Sequence, residues 1–129
     1  MIRTRTNSEI PLKAGNTRLR VFQRASIPGQ VIIHDEEHLY IAPLQNISAA
    51  GLFIDQLEHF NEGSQVRMVV KSSRLAEPVQ ATGTVVRVQS AGKRGLAVEF
   101  TSISTKAREM IQHYVFESRL ENTLKGVST

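Results

Sequence analysis

Cysteine is absent, which excludes disulfides, thiolate metal sites and cysteine nucleophiles. Tryptophan is absent too, and five Phe with two Tyr are few for a platform on which single-stranded bases would stack. No run approaches the ~18 apolar residues that a membrane-spanning helix needs. The start MIRTR is basic, but no apolar stretch of the kind a secretory leader carries follows it. The expectation is a cytoplasmic protein with no membrane span. The patterns GxxxxGK[ST], GxGxxG and GxSxG are also missing, so neither a nucleotide-hydrolysing loop nor a serine elbow is present. Gly92-Lys93-Arg94-Gly95 is too short for a phosphate loop and reads as a hairpin turn. His34 and His38 flank Asp35-Glu36-Glu37, but this run sits between two expected strands, where alternate side chains diverge. A solvated acidic turn is the better reading, and no metal, no cofactor and no enzymatic activity are expected.

What the chain does have is charge in one place. Of its 129 residues, the first 24 carry Arg3, Arg5, Lys13, Arg18, Arg20 and Arg24 against the single acid Glu9. The rest carry ten bases and eleven acids, so the net charge of +4 sits on an N-terminal arm. That is no general basic coat for packing nucleic acid, and no helix-turn-helix pattern supports a nucleic-acid partner. It does allow a local anion site.

Residues 1–17 show no period and read as a basic arm; residues 18–129 read as one domain. Val21 to Ile33 alternates loosely, with a kink or bulge at Pro28-Gly29. Leu39 to Leu44, Gly51 to Asp55, Gln65 to Val70, Val79 to Val88 and Gly95 to Phe100 follow as short strands with turns every 8–12 residues. These imply a mainly β fold, a small six-stranded antiparallel barrel or sandwich. A C-terminal helix over about 104–125 is expected from Ala107, Met110, Ile111, Tyr114 and Ser118 on one stripe. Ser102 or Ser104 would cap its start, and Gly126 stands where a C-cap glycine belongs. Phe116, Leu120 and Leu124 form a second apolar stripe on that helix. It is either the margin of a wide core face or a surface for self-association or a partner protein.

Two short motifs carry the chemistry. Arg20-Val21-Phe22-Gln23-Arg24 is an RxxxR, and Asn46-Ile47-Ser48-Ala49-Ala50-Gly51 is an NxSxxG. In an extended chain, side chains four apart share a face, so Arg20 and Arg24 can reach one ligand. Each guanidinium is a rigid fork matched to two phosphate oxygens or to the O6/N7 edge of guanine. Asn46 offers an amide for a base edge, Ser48 a hydroxyl, and Gly51 room for close approach. Either motif alone has a plainer reading, a solvated strand face for the first and a Ser turn closed by a positive-φ glycine for the second.

Together, RVFQR, a hairpin and then LQNISAAGLFID resemble the PilZ domain, a family known as receptors for cyclic di-GMP; GTVVRV and GLAVEF resemble its closing strands. The resemblance spans about Arg18 to Phe100 and implies a six-stranded barrel. It implies that Arg20 and Arg24 grip phosphates and guanine edges, that Asn46 and Ser48 contact a guanine, and that Gly51 keeps the turn open. Arg18, Leu19 and Arg87 are further candidate contacts; many members have another Arg where this chain has Leu19, and Asn46 stands for a commoner Asp. The function implied is that of a bacterial receptor that binds cyclic di-GMP; the expectation is that it changes conformation on binding and signals to a protein partner, with the Phe116, Leu120 and Leu124 stripe as the candidate surface for that partner or for self-association. The alternative is a PilZ-like interaction module that does not bind the nucleotide.

Overall fold

The computed structural model describes residues 23–92 and 94–128, with side chains described through Leu124. Among them are β1 (Ala25–Ser26), β2 (Gln30–His34), β3 (Leu39–Ile47), β4 (Gly51–Asp55), β5 (Gln65–Lys71), β6 (Val79–Gln89), β7 (Gly95–Ile103) and the helix α1 (Thr105–Ser128). Every pairing is antiparallel. The order β3-β2-β5-β6-β7-β4 closes where β4 pairs back onto β3, and β1 lies outside the ring on β3. Closure leaves these six strands no open edge between first and last.

The expected kink is real. β1 and β2 both pair with β3, and Pro28-Gly29 separates them. Gly29 has φ of 149°, and a Cβ there would run into the carbonyl oxygen of Lys71, so only glycine fits. Its own carbonyl still accepts from Leu44 N at 2.9 Å. The interior is filled by the inward positions of the period-two runs: Val31, Ile33, Val66, Met68, Val70, Val79, Val85, Leu96 and Val98 are all buried.

α1 covers one part of the barrel through Ala107, Ile111 and Val115, with Met110 and Tyr114 packed alongside. Of the two candidate caps, Ser104 is used: its Oγ accepts from Ala107 N at 3.0 Å. The helix does not stop before Gly126; it runs through that residue to Ser128, so Gly126 is not a C-cap. All described side chains after Ser118 are exposed, so the last turns receive no packing that would fix an end at Lys125.

The acidic run is a turn, as expected. The Asp35 carboxylate accepts the backbone N–H groups of Glu37 and His38, each at 2.8 Å. These two bonds favour the ionised form and hold its pKa below the usual aspartate value. Because the folded pKa is depressed, this stabilisation is present above the unfolded value and is lost as pH falls through the folded one. In an NMR titration the amide protons of Glu37 and His38 should therefore move with a midpoint below that of an ordinary aspartate. A midpoint at or above it would show that the carboxylate does not hold the turn.

Candidate functional site

Two irregularities in the barrel aim the polar residues outward. In β3 the register slips between Leu44 and Asn46. By strict alternation Asn46 would follow Leu44 into the core. The extra residue, Gln45, turns Asn46 to the surface and lets Ile47 be buried. In β6 the register slips between Val85 and Arg87. Val86 is the extra residue, 48% exposed, and Arg87 faces out instead of in.

Both re-aimed residues fall on one row. Asn46 pairs with Phe53, Phe53 with Ala97, and Ala97 with Arg87, across four neighbouring strands. Directly paired residues share a face, so Phe53 and Ala97, only 5 and 4% exposed, form a covered apolar floor with a polar group at each end. Three strand spacings make the row roughly 14 Å long. Arg87 lies over the Phe53 ring, 5.9 Å from its centroid. Sequence reasoning missed Phe53 and Ala97; no signal marks them, because cross-strand register is not written in either strand alone.

Arg24 completes the row. Its Nη1 donates to Asn46 Oδ1 at 2.9 Å, joining motifs 22 residues apart. Arg24 is half-buried, and burial first, then the nearby charge of Arg87, lowers its pKa. Among the described residues no carboxylate pairs with Arg24 or Arg87. Two cations that sense each other, with no carboxylate partner among the described residues, are a good arrangement for binding an anion.

Ser48 and Gly51 are placed differently. Ser48 is fully buried, and its Oγ accepts from Ala50 N at 3.1 Å and Gly51 N at 3.3 Å, so the hydroxyl is turned into the β3–β4 turn. Gly51 does not have a positive φ; the glycine is required because a Cβ would strike the carbonyl oxygen of Val98 on β7. Arg18, Leu19 and Arg20 lie outside the described residues. Phe116, Leu120 and Leu124 are exposed by 62, 42 and 59%. Of the acidic turn's neighbours, His38 and His59 both lie nearly parallel to the Tyr40 ring, and among the described residues no three His, Asp or Glu side chains are grouped to hold a metal.

The model of the PilZ domain matches residues 18–117. The chain belongs to the PilZ family. None of the curated proteins matches the PilZ chain. Its fold is similar to the Bacillus subtilis inhibitor of motility MotI/DgrA, with a TM-score of 0.69 and 20% identity over 78% of this chain and 51% of that one. It is also similar to the PilZ domain of Escherichia coli YcgR with c-di-GMP, with a TM-score of 0.60 and 12% identity over 84% of this chain and 97% of that one. For YcgR in complex with c-di-GMP the TM-score is 0.67 with 15% identity, over 83% of this chain and 49% of that one. The PilZ chain thus spans about half the length of two of these proteins. No helix among the described residues is long and apolar enough to cross a membrane.

Proposed function

We propose that this PilZ chain is a receptor for cyclic di-GMP and not an enzyme, with Arg20, Arg24, Asn46 and Arg87 as its contacts, and that binding is passed to a protein partner. The observation that carries the reading is the Arg24–Asn46 hydrogen bond, with the charge of Arg87 near enough to lower the Arg24 pKa and, among the described residues, no carboxylate paired with either guanidinium. A cyclic dinucleotide offers what such a surface lacks. Its phosphates answer the guanidiniums, and a guanine has O6/N7 acceptors at its edge. With Oδ1 taken by Arg24, Asn46 presents its NH₂ group, which suits those acceptors. The commoner Asp would instead accept from N1–H and N2–H. Ser48 and Gly51 serve by shaping the β3–β4 turn that places Asn46.

Isothermal titration of the purified protein with cyclic di-GMP tests the receptor. Micromolar or tighter binding is expected at physiological salt, with no comparable heat from GMP, which lacks the second phosphate and guanine. Absence of binding would move the chain to the class of interaction modules that work through protein contacts alone.

A further inference from the structure

An open cleft of about 480 Å³ lies between α1 and the β3–β4 turn, separate from the floor of Phe53 and Ala97. One wall is a single helical stripe that includes Val115, Phe116 and Leu120; the facing residues are Ala49 and Gln23. Gln23 is also where the chain enters the described fold, with 22 residues before it. The cleft therefore begins at the mouth of the arm.

The arm's sequence matches the wall. Alternate residues of an extended chain point to opposite sides. Gln23 lines the cleft, whereas Arg24 meets Asn46. If the arm runs on extended upstream, that alternation would put Leu19 and Val21 on the side of Gln23, and Arg20 and Phe22 on the side of Arg24. The residues that would meet Phe116 and Leu120 are thus the two aliphatic ones. We propose that the cleft is the seat of Leu19 and Val21, so that the arm docks on α1 by one face and presents Arg20 beside Arg24 by the other. Docking of this kind orients the guanidiniums before a ligand arrives and covers Phe116 and Leu120. The gain for the nucleotide rests on the receptor reading; the seat itself does not.

The lack of cysteine supplies a clean test. Val21→Cys is combined in turn with Phe116→Cys, Leu120→Cys and Val86→Cys, the last at the far end of the floor. Each full-length protein is oxidised without nucleotide and its disulfides are read by mass spectrometry. A disulfide needs Cα atoms about 4.4–6.8 Å apart, so it reports proximity directly. One of the two helix pairs should close within the monomer in most of the protein, and the Val86 pair should stay reduced. The seat is refuted if neither helix pair closes, if the Val86 pair closes as readily, or if the disulfides join two chains, which would make a second copy the occupant. The assay contains no nucleotide. A closed helix pair with no heat of titration would sink the receptor and keep the seat, and the reverse result would do the opposite.

Discussion

Arg24→Ala is expected to weaken cyclic di-GMP binding by at least about a hundredfold while the barrel stays folded. Hydrogen bonds to charged groups contribute roughly 1.5–3 kcal/mol each, and a guanidinium fork makes two, so about 3–6 kcal/mol is at stake. Each 1.4 kcal/mol is about tenfold in affinity. The folded state has little to lose. Arg24 gives up one hydrogen bond to Asn46, but its removal also ends the repulsion from Arg87 that, after burial, lowers its pKa. The melting temperature should therefore move by less than about 3 °C, in either direction. Arg24→Lys keeps the charge and loses the fork, and should fall between the parent and the alanine variant. Calorimetric titration and thermal melts of the three proteins decide the matter. An alanine variant that binds within threefold of the parent would remove Arg24 from the site.

The fold was legible in the sequence because most of this barrel follows period two. Val66, Met68 and Val70, and then Val79, Ala81 and Val85, announce both the strands and the faces they bury. The helix was legible for the same kind of reason, although Val115 went unnoticed as the third member of the Ala107–Ile111–Val115 stripe. Legibility ends at the bulges. Leu39 to Leu44 reads as the whole strand because the alternation breaks at Gln45, yet pairing continues to Ile47. The alternation of Val79, Ala81, Gly83 and Val85 does not carry on to Arg87, which faces outward because Val86 is an extra residue. A bulge is a relation between two strands, and neither sequence states it alone. The same limit hid the row that joins Asn46 to Arg87 through Phe53 and Ala97. The motifs point to the candidate site, but only the register sets Asn46 and Arg87 on one row.

The register also separates the two halves of NxSxxG, and Gly51 shows this most sharply. Gly51→Ala is expected to destabilise the protein by about 3 kcal/mol, a fall of roughly 10 °C in melting temperature. The added Cβ would collide with the carbonyl oxygen of Val98, a backbone atom of the strand to which β4 is paired. A flexible side chain could step aside, but here β4 must draw away from β7, next to the Gly51–Glu99 pair and the bond from Phe100 N to Ala50 O, 2.8 Å. Ser48→Ala acts on the same turn more gently. It leaves the N–H of Ala50 without its side-chain acceptor and should cost about 1–3 kcal/mol. For both variants the affinity of the molecules that remain folded should stay within about threefold of the parent, because neither side chain reaches the surface where Arg24 and Asn46 meet. Asn46→Ala should show the opposite pattern, an affinity loss of tenfold or more with little change in melting. Thermal melts paired with titrations below the transition separate the two patterns. If Ser48→Ala lost affinity as Asn46→Ala does while keeping the parent's melting temperature, the hydroxyl would have to contact ligand, and the buried turn geometry would be the wrong account of the motif.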